Sequence, residues 1–331
     1  MIEVRHLTKR YGGHTAVSDL SFTIEKGVIY GFLGPNGAGK STTMNIITGC
    51  LGASEGEVLV GGHSIMDEPM AAKRLIGYLP EQPPLYTDMT VDEYLRFVVQ
   101  AKGVRHSEWG QQVEEVVNRT GLKEVRSRLI RNLSKGFRQR VGIAQALLGS
   151  PEVIILDEPT VGLDPAQIIE IRELIRDLGR THTVVLSSHI LSEVQAVCDA
   201  IMIISHGHLV ASDTPENLTA LLAGSDTLKL EALGSEERVR QVLSELSLQE
   251  KAVLTPGEQH TQRVELPIPD GEDIRERVFR AFAAASVPLL EMSRTRATLE
   301  DVFLELTSGE EKPDGDMPSG ETEKSGEEKA S

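Results

Sequence analysis

Apolar and polar positions follow different rhythms in different parts of the chain. Over the first sixty residues they alternate: Leu20, Phe22 and Ile24 share one face, and residues 57–62 read as a strand running into a Gly-Gly turn. Interleaved with this are continuous apolar runs at 28–33, 153–156, 183–188 and 200–205. A strand buried on both faces needs no polar side, so such runs predict a parallel sheet. Helical spacing marks 40–49, 91–102, 108–119, 135–149, 166–179 and 190–197. Mixed strands followed by alternating strand and helix predict an α/β core with an antiparallel β flap.

From about 83 to 150 the strand signal gives way to helical patterns, which predicts a helical subdomain. The character changes again after 212–224, with strands near 226–231 and 261–268, helices near 235–246 and 271–285, and a final stretch LEDVFLEL at 299–306. The expected organisation is a main domain over 1–224, a small α+β accessory domain over 225–307 and a disordered acidic tail over 308–331. That tail mixes Gly, Pro and Ser with acids that outnumber its lysines, and it has no apolar pattern.

Composition narrows the function classes. A chain of 331 residues with 40% apolar content can build two or three domains with a sizeable core. Its net charge of −16 argues against a polyanion-binding surface, so no nucleic-acid partner is expected. Cys50 and Cys198 lie in separate apolar segments without metal-ligand spacing, which predicts buried free thiols in a reducing compartment. No window approaches the roughly 18 apolar residues of a membrane span, and the first residues hold no apolar signal core. A soluble, intracellular chain is expected, one that works at a membrane only through a partner that supplies the spans.

Three segments carry chemistry. Gly34, Pro35, Asn36, Gly37, Ala38, Gly39, Lys40 and Ser41, followed by Thr42, fit the phosphate-loop pattern, with an apolar strand before them and a helix after. The glycines let backbone N–H groups close on phosphate oxygens, Lys40 supplies a cation, and Ser41 offers a hydroxyl for Mg2+. The strand at 153–156 runs into Asp157, suited to a metal shell, and Glu158, suited to a general base. Read alone, such an acidic pair after a strand is more often a solvated loop start. In the segment RNLSKGFRQRVGIAQALL (131–148), Ser134 is typed as an N-cap, backed by three arginines and no acid. Its free N–H groups suit an anion, although the same residues alone describe a capped surface helix.

Taken in order, these motifs resemble the nucleotide-binding subunit of an ABC transporter over residues 1–224. The resemblance implies that Tyr11 stacks on adenine, that Gln82 in YLPEQPPLY senses Mg2+ and the transport partner, and that His189 contacts the terminal phosphate. Singly, these three read as a turn aromatic, a loop amide and a helix-start cap. LSKGF (133–137) corresponds to the LSGGQ signature: Ser134 and Gly136 are kept, while Lys135 replaces a glycine and Phe137 the glutamine. Lys135 is expected to add positive charge there. GLDP (162–165) implies a dimer-interface loop carrying Asp164.

The resemblance further implies ATP and Mg2+ as cofactors, with Ser41, Gln82 and Asp157 around the metal. It implies two subunits packed head to tail, identical or paired with a different ATPase. Each nucleotide then lies between the Lys40 loop of one and Ser134, Lys135 and Gly136 of the other. An integral-membrane permease is the implied partner, with the chain cytoplasmic and peripheral at the inner face of the membrane. YLPEQPPLY, LSKGF and the ending LEDVFLEL look like ATPase subunits of bacterial ABC-2-type exporters, including those named for gliding motility and multidrug export. Val91, Tyr94, Leu95, Val98 and Val99 then either dock on a coupling helix or belong to the core.

The alternative is a non-transport ABC ATPase acting on DNA or ribosomes. The separation between Ser41 and Ser134 leaves no space for the long coiled coil of DNA-repair relatives, and the phosphate loop occurs once rather than twice. A regulatory module without hydrolysis is disfavoured by Lys40, Asp157, Glu158 and His189. For 225–307, analogy suggests a dimerisation or regulatory surface.

Overall fold

The computed structural model describes residues 1–220, 227–248, 252–257, 260–268, 273–295 and 298–308. In chain order the main domain opens with β1 (Ile2–Tyr11), β2 (His14–Ile24), β3 (Ile29–Leu33), α1 (Lys40–Ile47), β4 (Glu55–Val60), β5 (His63–Ser64), α2 (Pro69–Arg74) and β6 (Ile76–Leu79). Three helices follow, α3 (Val91–Ala101), α4 (Trp109–Arg119) and α5 (Lys135–Leu147). The chain then returns to strand and helix in β7 (Val153–Asp157), α6 (Pro165–Gly179), β8 (Thr183–Ser188), α7 (Leu191–Val197), β9 (Ala200–Ser205), β10 (His208–Asp213) and α8 (Pro215–Ala220).

Six strands form the central sheet in the order β10-β9-β3-β8-β7-β6, parallel except for the antiparallel edge β10. Alternate residues of its strands enter different cores. Val153, Ile155 and Val185 pack with α1 and the flap, whose strands lie in the antiparallel order β2-β1-β4-β5. Ile154, Leu156, Val184 and Leu186 pack under the helices on the opposite face. Both faces are covered, which is why these strands are continuously apolar in sequence. On that helical side, Val91, Tyr94, Leu95 and Val99 of α3 are buried and Val98 packs beside them, so these positions are core.

A second unit comprises β11 (Thr227–Leu233), α9 (Glu236–Glu245), β12 (Val253–Pro256), β13 (Thr261–Pro267), α10 (Arg275–Ala284) and β14 (Leu289–Thr295). Its four strands are antiparallel in the order β12-β13-β11-β14, a split βαβ arrangement, and they enclose a separate core around Phe282, Leu228 and Leu266. The last helix, α11 (Leu299–Ser308), does not belong to this unit, contrary to the expected extent of 225–307. Leu299 and Val302 are buried in the main-domain core, where α11 packs against α8 and β9. The accessory core is formed without it, from the four strands with α9 and α10. From residue 309 onward the tail lies outside the described residues.

One thiol differs from expectation. Cys198 is buried, and burial pushes its pKa up, but Cys50 is exposed. Gly49, at φ +68, turns the chain out of α1 and carries Cys50 to the surface.

A candidate nucleotide site at the carboxyl ends of the central strands

The phosphate loop bends between β3 and α1 because two of its glycines leave no space for a side chain. A Cβ on Gly34 would sit 2.3 Å from the Ile204 carbonyl oxygen. Gly39 is the N-cap of α1 at φ +102, and a Cβ there would lie 2.6 Å from the Ala16 carbonyl oxygen. No side chain caps α1, so its first-turn N–H groups stay open to a ligand.

Lys40, only 6% exposed, donates from Nζ to the carbonyl oxygens of Gly34 (2.8 Å) and Pro35 (3.2 Å). Burial lowers its pKa, opposed by the carboxylates of Glu158, Asp157 and Glu81 in that order. The nearest of these is Glu158, whose Oε1 lies 3.9 Å from Nζ.

Strands β7 and β8 supply the acids and their partners. Ser41 donates to Asp157 Oδ1 at 3.3 Å, and Ser187 donates to the same oxygen at 2.5 Å. Ser187 Oγ also accepts from the Glu158 backbone N–H at 2.9 Å. Glu158 has a left-handed backbone, φ +48, uncommon for a residue with a side chain and a form of strain found at functional sites. The His189 Nδ1–Glu158 Oε2 distance is 2.9 Å. The contact uses one ring nitrogen of His189 and one oxygen of Glu158, leaving Nε2 and Oε1 outside it.

These groups meet in a cleft of about 450 Å3, lined by Tyr11, Asn36, Gly37, Gly39, Lys40, Ser41, Thr42, Glu158 and His189. Gly34 and Pro35 contribute the carbonyls that hold Lys40, Ala38 is buried behind the loop, and Asp157 lies beneath it, 3% exposed. Tyr11 stands at the rim, half exposed, with Lys9 Nζ 5.2 Å from its ring centre.

One sequence expectation is displaced by a single position. Gln82 is exposed and does not line the cleft; Glu81 does. Ligands gather at the carboxyl ends of parallel strands, and Glu81 is the first polar residue after β6. His14 and Val161 also line the cleft without having been expected there.

Ser134 and Gly136 are elsewhere, in a second cleft of about 230 Å3 with Gln167 and Arg140. Ser134 is the N-cap of α5, accepting from the Phe137 N–H at 3.4 Å. The basic flank read from sequence is partly neutralised, since Arg131 pairs with Asp88 at 3.0 Å and Arg140 with Glu170. The Lys135 ammonium folds against Gly162, where a Cβ would meet Nζ at 2.2 Å. Asp164 is the N-cap of α6, accepting from the Gln167 N–H at 2.9 Å.

Comparison with known proteins agrees with this geometry. The sequence matches the family described as ABC transporter over residues 17–161. The linearmycin resistance ATP-binding protein LnrL of Bacillus subtilis (strain 168) is 33% identical over 308 residues, covering 93% of this chain and 98% of that protein. The bacitracin transport ATP-binding protein BcrA of Bacillus licheniformis is 33% identical over 320 residues, with coverage of 93% and 98%. The solved ATP-binding subunit of an ABC transporter superimposes with a TM-score of 0.61 at 30% identity, covering 67% of this chain and 93% of that one. A dimeric bacterial ABC transporter cassette gives a TM-score of 0.59 at 27% identity, covering 65% and 98%. Likeness over nearly the whole of two curated relatives, with the phosphate loop and both acids at the ends of the same sheet, makes this chain a member of the ATP-binding subunits of ABC transporters, a family of ATPases.

Proposed function

We propose that the chain hydrolyses ATP with Mg2+ to drive an ABC-2-type membrane exporter, by closure of a pair of such subunits around their nucleotides. The observation that carries this reading is the division of the machinery. Lys40, Glu158 and His189 share one cleft, while Ser134 and Gly136 line another on the same protomer. A second subunit, packed head to tail, supplies the missing helix end to each nucleotide. The transport and resistance named for the two relatives support export.

Within the cleft, Tyr11 stacks on the base and Lys40 exchanges its two carbonyl acceptors for phosphate oxygens. Glu158 uses Oε2 for His189 and keeps Oε1 for the attacking water, whose proton it accepts. The Ser41 hydroxyl and Asp157 carboxylate are hard oxygen donors in mutual contact, which fits Mg2+. When bound, the ion neutralises charge on the phosphate oxygens. Glu81, rather than Gln82, is the side chain of that loop placed to respond to it.

No helix among the described residues is long and apolar enough to cross a membrane, so a permease supplies the spans. Its docking surface on this chain is the exposed aromatic pair Tyr86 and Phe97, with ring centres 5.2 Å apart. The chain then works at the cytoplasmic face of the membrane.

Mixing tests the divided site. Lys40→Ala and Ser134→Arg chains are each expected to be inactive. Together they should regain part of the ATPase rate, because a mixed dimer holds one site with an intact Lys40 loop and an intact Ser134. No recovery in mixed dimers confirmed by pull-down, either in hydrolysis or in ATP-dependent dimerisation, refutes a signature acting across subunits.

A further inference from the structure

Strand β8 ends in two consecutive serines, both buried, and they point to different acids. Ser187 serves Asp157 and the Glu158 N–H, as described above. Ser188 Oγ accepts from the Ile190 N–H at 3.0 Å and donates to Glu193 Oε2 at 3.2 Å. Thr160, two residues beyond Glu158, donates its hydroxyl to the same Glu193 oxygen. Glu193 is in the first turn of α7, 6% exposed, and does not line the nucleotide cleft. No ion pair to it is formed among the described residues. A carboxylate buried with only hydroxyl donors is an expensive way to fill a helix turn.

What it joins is specific. Through Thr160 it fixes the loop that leaves Glu158, a residue already held at φ +48. Through Ser188 it fixes the residue immediately before His189. Glu158 and His189 touch each other at 2.9 Å, and each is anchored within two residues to one buried oxygen. We propose that Glu193 is a positioning residue for ATP hydrolysis, holding the Glu158 and His189 segments in register without touching the nucleotide. This rests on the roles proposed above for Glu158 and His189.

The test is single-turnover ATP hydrolysis by the full-length chain, with nucleotide affinity measured in parallel. Glu193→Ala is expected to lower the rate constant about 10- to 100-fold while leaving the ATP Kd within about threefold. Glu193→Gln keeps an oxygen that can accept both hydroxyls and should restore the rate to within about fivefold of the parent. In a His189→Ala background, Glu193→Ala should cause little further loss, because the pair it aligns is already broken. If Glu193→Ala does not fold, Thr160→Val removes one anchor at almost constant volume and should show the same split between rate and affinity. A parental rate in Glu193→Ala, equal fractional losses in both backgrounds, or rate and affinity falling in step overturns the proposal. Glu158→Gln run alongside separates the two readings: if it hydrolyses normally, the base assignment fails. If it is inactive while Glu193→Ala is normal, only the positioning role fails.

Discussion

Removing the Lys40 ammonium should weaken nucleotide binding by an amount the cleft itself sets. In the structure Nζ makes two hydrogen bonds to neutral carbonyl oxygens, at 2.8 and 3.2 Å. Phosphates would replace both acceptors with anionic oxygens. The donor is charged in both states, and such bonds are worth about 1.5–3 kcal/mol; making the acceptor anionic as well moves each from the lower to the upper part of that range, a gain of about 1–1.5 kcal/mol per bond. Lys40→Ala forfeits both, or about 2–3 kcal/mol, which raises Kd roughly 30- to 150-fold. Without nucleotide the same change acts on stability in two opposing ways. Burial outweighs the neighbouring acids and holds the Lys40 pKa below its ordinary value, so the folded state binds this proton less readily than the unfolded one. Protonated Lys40 is therefore a mild liability at neutral pH, one that lessens as pH rises toward the ordinary lysine range. Losing it removes that penalty together with the two carbonyl bonds, so the two effects on stability oppose each other. The assay is a titration with a fluorescent ATP analogue beside thermal melts with and without ATP. His189→Ala is the control, expected to bind normally and turn over slowly. A Kd for Lys40→Ala within about threefold of the parent, or equal affinities in the two variants, refutes the role assigned to Lys40.

Glu158→Gln should retain ATP binding, lose hydrolysis and accumulate an ATP-bound dimer, read by light scattering; a purely monomeric species at saturating ATP counts against closure. Gln82→Ala should leave the Mg2+ requirement of hydrolysis within about twofold of the parent, whereas Glu81→Ala should shift it, and the opposite pattern would restore Gln82 to the site. Deleting 309–331 should change the melting temperature by less than about two degrees, but Leu299→Ala should destabilise the main domain by about 2–5 kcal/mol. If Leu299→Ala instead melts only the accessory unit in a two-transition unfolding profile, α11 is docked differently in solution.

The chemistry of the site was legible wherever it is local. A Gly-rich turn between an apolar strand and a helix is recognisable because the phosphate loop is one contiguous piece of chain, and Asp157 and Glu158 are recognisable because they end a strand. Ser134 could be assigned as the α5 N-cap because capping involves only the next three residues. The parallel sheet showed itself in unbroken apolar runs, since burial of both faces leaves a mark on every position. β12 and β14 leave no such mark, because their side chains are exposed or only half-buried and burial imposes no clear alternation on them.

Tertiary structure decided everything that depends on direction or on distant partners. Gln82 and Glu81 are adjacent in sequence, and only the exit path of β6 turns Glu81 into the cleft and Gln82 out of it. Three arginines around Ser134 read as a positive mouth until Asp88 and Glu170, from other segments, pair with two of them. Helix α11 follows the accessory strands in sequence yet buries Leu299 and Val302 against the main domain. An apolar stripe specifies that a helix must be covered, whereas the surface that covers it is chosen by which core is still open once the rest of the chain has folded.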